Sequence, residues 1–230
     1  MKDKLLKAYQ VRQEDFDFII KENPEENMGG PILISPNEKY YKQPNPLLIV
    51  GQQTSGWDCC FDDQSKEINL LKQMEVYEKF NLGKNYYSSP FWNVTRKVEA
   101  AIGNEPYSCA YTNINKFDHD GERPYSGYEK EIVVLDDILV TEIKIIKPKI
   151  CLFFTGHSFD GRIRNIFSEV EFAKIEGWDW TPRQLSHLKH PDLPFLTFRT
   201  YHPRYLRQKG LETDFIEFLA DYSHFINSQK

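Results

Sequence analysis

Long apolar runs are absent from this chain: no stretch approaches the ~20 consecutive residues that span a bilayer, so no membrane partner is expected. The start, Met1-Lys2-Asp3-Lys4, continues as an amphipathic pattern without the apolar block and small-residue cleavage site of a signal peptide. The expected location is the cytoplasm. Cysteine is scarce, with four residues, Cys59, Cys60, Cys109 and Cys151. The adjacent pair lacks the C-x-x-C spacing of a zinc or cluster site, and Cys109 and Cys151 lie inside apparent strands. These read as buried, reduced thiols, so no metal and no cofactor are expected. There is no G-x-G-x-x-G and no Walker loop, which counts against a doubly wound nucleotide-using enzyme. Internal repeats and low-complexity segments are missing too. Positive charge is in deficit: the net charge of −5 argues against a protein that coats itself in nucleic acid. A local groove stays open, because Arg199, Arg204, Arg207 and Lys209 lie close together.

What is present is core material. Hydrophobic residues make up 40% and aromatics 14% of 230 residues, which suits one large domain, with 1–45 as an N-terminal helix and loop extension. The segment Leu47-Leu48-Ile49-Val50, bounded by Pro46 and Gly51, reads as a strand buried on both faces that opens into the polar loop Gln52–Trp57. Three further strands are expected at 108–114, 149–156 and 195–200, and 170–175 reads as a short edge strand. Helices are expected over 3–22 (ended by Pro24), 62–82, 90–102, 132–146, 157–167 and 211–227, the last with Phe215, Ile216, Phe218, Leu219, Tyr222 and Phe225. The segments 31–46, 117–128 and 176–194 read as loop or irregular chain. Four strands separated by helices predict an α/β fold, a three-layer α/β/α arrangement around a central four-stranded, mostly parallel sheet. The loops after the four strands then collect along one edge, where open α/β sheets place their sites.

Those loops carry familiar patterns. Thr200-Tyr201-His202-Pro203-Arg204-Tyr205-Leu206 resembles the His-Pro loop of the uracil-DNA glycosylase superfamily, most of all its thermostable bacterial branch. Gly51-Gln52-Gln53 resembles the first motif, which is G-Q-D-P-Y in one branch and G-E-x-P-G or G-x-N-P-G in others. The segment from Tyr111 to Lys116 resembles the strand-end T-N-x-x-K, and the segment from Pro148 to Gly156 resembles P-K-x-x-x-x-x-G. The four motifs fall in the family's order and cover most of the chain.

The resemblance implies a uracil-DNA glycosylase-like fold and hydrolysis of the N-glycosidic bond of uracil or another damaged base in DNA, by a monomer without cofactor. Such a protein takes the base out of the stack and reads its polar edge in a pocket. Asn113 is then the base-reading amide, and Trp57 or Phe61 the stacking ring. Gln52 and Gly156 line the substrate site. His202 faces the carbonyl on which negative charge develops, as an oxyanion hole does. Arg204 and Arg207, with backbone amides of 201–205, meet phosphate. In the best-known branch an Asp that aligns water stands at the position of Gln53, followed by Pro where this chain has Thr54. A Gln can hold a water but is no general base; Asp58, Asp62 or Asp63 could substitute if the loop folds back. The four spaced Cys that hold an iron–sulfur cluster in the thermostable branch have no counterpart here. A second expectation is therefore a binding module of the same fold that has lost the chemistry and holds a base, a nucleotide or a partner protein.

Overall fold

The computed structural model describes residues 1–23, 27–62, 64, 65, 67–86, 88–124 and 126–227, the side chains of 126 and 223–227 excepted. Pro24, Asp63 and the Phe225 side chain, singled out above, lie outside the described residues. In chain order the elements are α1 (Lys2–Gln10), α2 (Gln13–Glu22), β1 (Met28–Gly29), α3 (Glu38–Lys42), β2 (Leu47–Gly51), α4 (Leu70–Phe80), α5 (Pro90–Ala101), β3 (Ala110–Asn113), β4 (Asp118–His119), α6 (Ser126–Ile132), α7 (Asp136–Ile146), β5 (Ile150–Phe153), α8 (Asp160–Ile166), β6 (Glu171–Ala173), β7 (Leu185–Lys189), β8 (Leu196–Thr200), α9 (Pro203–Gln208) and α10 (Glu212–Asn227). The fold is mixed α/β, with a mostly parallel six-stranded sheet in the order β3-β2-β5-β8-β7-β6, flanked by helices. A separate two-stranded ribbon pairs β1 with β4. Among the described residues no helix is long and apolar enough to cross a membrane.

The chain divides into two compact units. Unit 1 comprises Met1–Pro36, Val50–Lys79 and Tyr111–Lys147; unit 2 comprises Asn37–Ile49, Phe80–Ala110 and Pro148–Lys230. In unit 1, α1 packs on α7. Leu5 and Tyr9 are buried on α1, and Ile138, Leu139, Ile143 and Ile146 on α7, the i, i+3, i+4 spacing of an amphipathic helix. Lys147 closes α7 in the left-handed conformation and Pro148 prevents its continuation. In unit 2, α5 packs on α9 and α10. The strand pair β5 and β8 is parallel, with Ile150 opposite Leu196 and Phe153 opposite Arg199.

The expected four strands are all present, and the sheet is larger by two. The edge strand expected at 170–175 is β6; β7 lies in the stretch read as irregular. β7 pairs antiparallel with β8, and β6 pairs antiparallel with β7 at the edge of the sheet. Leu185, Ser186, His187 and Leu188 are all buried. A sequence pattern hides such a strand, because Ser186 and His187 interrupt its apolar character. They are tolerated since the Ser186 hydroxyl donates to Pro182 O and His187 Nε2 bonds Phe195 O.

Three helical expectations also change. The helix over 3–22 is broken into α1 and α2 at Val11-Arg12, where the Arg12 guanidinium is drawn to Val134 O and Asp15. The helix expected from 62 starts at Leu70, because Asp62 turns the chain by accepting from Gln64 N and Ser65 N, and Phe61 bridges to Ile68. The helix over 132–146 opens with a 3-10 turn, Val133–Leu135. The loops at 31–46 and 117–128 carry α3, β4 and the start of α6.

Candidate functional site

In unit 1 the exits of β2 and β3 are stitched together: Ile114 N donates to Gly51 O and Asn115 N to Gln52 O. Asn113, the last residue of β3, is fully buried and lies over Gly51. A Cβ at position 51 would run into the Asn113 carboxamide oxygen and stand 3.3 Å from the Tyr111 ring, so only Gly fits there. Gln53 Oε1, also shielded, makes no hydrogen bond, and the Tyr111 phenol is a polar group set against the Asn113 carboxamide. The Asn113 carboxamide lies beside the Tyr111 phenol. Burial pushes that phenol up, and the amide partly offsets the push. A buried amide left without a partner costs about 1–3 kcal/mol, which a water or another polar group at its unused positions would relieve.

The loop after Gln53 is held by a residue that sequence reasoning missed. The Asp118 carboxylate is fully buried and accepts from the Thr54 hydroxyl, from Gly56 N at 3.1 Å and Trp57 N at 3.3 Å, and from Gly121 N at 2.8 Å. The Asp-x-x-Gly spacing of 118–121 is the sequence signal that could have shown it, since Asp side chains bond backbone N–H groups a few residues on. Trp57 is buried and lines a cavity of about 270 Å³ together with Gly29, Asp58, Cys59 and Asp118. Phe61 is 39% exposed. The two expected stacking rings thus differ: Trp57 is part of the packed wall and Phe61 is open. Asp58 is exposed and Asp62 caps its own turn.

Beneath β3 lies a buried ionic network. Lys116 Nζ donates to Glu142 Oε2 at 2.8 Å and to Thr112 Oγ1 at 2.7 Å; the Thr112 and Tyr9 hydroxyls donate to Glu142 at 2.9 Å each. Burial lowers the Lys116 pKa and the Glu142 charge opposes that shift. Lys116, the last residue of the T-N-x-x-K pattern, therefore holds the strand end and does not face solvent.

In unit 2, β5 runs out into Gly156, whose φ of 71° and ψ of 170° suit glycine alone. Its N–H donates to Thr200 O at the end of β8. The chain then passes through Tyr201 to His202, the N-cap of α9. Pro203 at the first helical position needs no N–H partner, and His202 Nδ1 accepts from Arg204 N at 3.2 Å. With Nδ1 accepting, the proton of the neutral ring belongs on Nε2, which becomes a donor. The ring rests against Phe91, centroids 5.6 Å apart. Burial, then the Arg204 charge, lower its pKa to about 4, so it is neutral near pH 7.

The basic cluster around α9 is smaller than expected. Arg199 is buried and structural: it pairs with Asp160 at 2.8 Å and donates to Pro182 O and Arg183 O. Arg207 pairs with Glu212 at 2.7 Å. Arg204 and Lys209 are exposed. The N–H groups of Arg204, Tyr205 and Leu206 are used by His202, and Pro203 has none. Cys109 and Cys151 are buried, while Cys59 and Cys60 are half-buried. Burial pushes the Cys59 thiol up to about 12, so it is unreactive near neutral pH. Among the described residues no group of three His, Cys, Asp or Glu could hold a metal ion.

The chain is thus a mixed α/β protein whose strand exits carry the buried amide Asn113 and the half-buried amide Gln53 in one unit and a neutral, capped histidine in the other. Compared with known protein families and with curated proteins, it matches none.

Proposed function

We propose that this is a uracil-DNA glycosylase-like protein that recognises uracil or another damaged base in DNA and hydrolyses its N-glycosidic bond. The observation that carries the proposal is Asn113: a fully buried carboxamide with hydrogen-bonding capacity to spare, at a strand exit whose glycine leaves room only for it. An amide offers one donor and one acceptor side by side, the complement of the N3–H and O4 edge of uracil. His202 supports the reading. A neutral imidazole whose Nε2 carries the proton can donate to a carbonyl oxygen on which negative charge grows, without having to give up a proton. Gln53 takes the place of a water-aligning acid. Its amide can hold a water but cannot accept the proton, so excision is slow.

A second reading, a base-binding module without turnover, is favoured by the commitments of the nearby acids. Asp118 is saturated by four donors and Asp62 by its own turn, which leaves no general base in the described loop except exposed Asp58. The test is a uracil-containing oligonucleotide, single-stranded and duplex, incubated with protein and cleaved with alkali. Strand breaks at stoichiometric protein are expected, lost in His202→Ala and increased in Gln53→Asp. Absence of breaks together with tight binding of the same oligonucleotide selects the second reading. If neither activity nor binding appears, both readings fail.

A further inference from the structure

The cavity of about 270 Å³ in unit 1 takes its walls from the β1–β4 ribbon and the loop 56–59. Asn113, Gln52 and Gln53 do not line it; of the residues that the resemblance assigns to the base, only Trp57 does. Its polar side chains are of one kind. The Asp118 carboxylate is fully buried, and its donors are the Thr54 hydroxyl and three backbone N–H groups. That charge is hydrogen-bonded but met by no cation among the described residues. Asp58 brings a second carboxylate, on an exposed residue. Asn27 gives its amide N–H to Asp120 at 3.0 Å, which leaves its carboxamide oxygen as an acceptor. Cys59, held as the neutral thiol by burial, adds no charge. No Lys, Arg or His is among the described residues of the lining.

We propose that this cavity binds a small, free organic cation with N–H donors, a protonated amine or guanidine, at a site separate from the base. Walls made of acceptors and negative charge are complementary to a donor that carries positive charge, and hydrogen bonds from such a donor to carboxylate are the strong kind. The same walls reject the parts of a nucleic acid. A phosphate meets like charge, and a uracil edge sets its carbonyl oxygens against carboxylate and carboxamide oxygens. The Trp57 indole supplies the aromatic wall to which cations are drawn. The volume lies just under the roughly 300 Å³ at which pockets for drug-sized ligands begin, so the occupant is a small molecule. The chain's net charge of −5 adds a field that raises the concentration of cations near its surface.

The experiment is isothermal titration calorimetry of the full chain at low salt with n-butylguanidinium and n-butylammonium. Uncharged n-butylurea and N-acetylarginine amide serve as comparisons. Both cations are expected to bind, more weakly as salt is raised, and n-butylurea is expected not to. Asp58→Asn should weaken the cations roughly three- to tenfold, and Asn27→Ala about two- to tenfold. Asp58→Lys, which tethers an ammonium at the cavity, should abolish binding; position 58 is exposed, and circular dichroism checks that the variant stays folded. No heat from either cation, equal binding of n-butylurea, or unchanged affinity in Asp58→Lys would overturn the proposal. Tighter binding of N-acetylarginine amide than of n-butylguanidinium would overturn the free ligand and assign the cavity to a protein side chain. Displacement of the cation by uracil would overturn the separate site and leave the base-recognising reading intact.

Discussion

Replacing His202 with Asn keeps a good helix N-cap and removes the one imidazole on which the proposed chemistry depends, so it isolates what the fold does to that ring. In the unfolded chain the ring titrates near its ordinary value of 6.5; in the folded protein burial and Arg204 bring it to about 4. Between these values the unfolded state holds a proton that the folded ring refuses, so folding stability declines as pH falls. No penalty is present above pH 6.5 and the full penalty is reached below about pH 4. At 1.36 kcal/mol for each unit of pKa, the ceiling is about 3 kcal/mol. The ring keeps some contact with water, which screens the effect to about 2 kcal/mol. The measurement is urea denaturation of wild type and His202→Asn from pH 7.5 to 4. Carboxylates titrate in both proteins and cancel in the difference, and wild type should lose about 2 kcal/mol more than the variant. An NMR titration should place the imidazole midpoint near 4. A midpoint near 6.5, or parallel pH profiles for the two proteins, would refute the reasoning that burial and Arg204 disfavour the charged ring.

Glu142→Gln leaves the Lys116 ammonium buried without its counter-charge, and should cost about 3–5 kcal/mol in urea denaturation; a loss under about 1 kcal/mol would show that the network is not dry. Gly51→Ala drives a Cβ into the Asn113 carboxamide and should cost about 1–3 kcal/mol by overpacking, with a larger proportional loss of oligonucleotide binding. Unchanged binding in that variant would separate Asn113 from the site.

The four buried strands were legible because each is a short apolar run closed by turn formers, and the helix stop at Lys147-Pro148 follows from proline chemistry alone. The helix α9 went unread in the segment that reads as the exit loop of the last strand, although a side-chain acceptor followed by Pro is a local helix start. β7 was not legible, because its burial comes from β8 and β6 on either side and not from its own composition. Nor was the break between α1 and α2, which Arg12 makes by reaching Val134, a residue far along the chain.

The same division runs through the charged residues. Lys116, Asp118 and Arg199 are polar letters in the sequence, and each could have been a contact for substrate, solvent or phosphate. In the folded chain all three are buried. Lys116 meets Glu142 26 positions away, Asp118 meets Thr54 across 64, and Arg199 meets Asp160 across 39. The sequence alone determined the four central strands β2, β3, β5 and β8 and the residues at their exits, since those depend on neighbours within a few positions. Only the tertiary structure decided which polar groups are spent on the core and which are left over, as Asn113 and Gln53 are. A buried charge is stabilised by partners that chain folding alone brings within 3 Å of it.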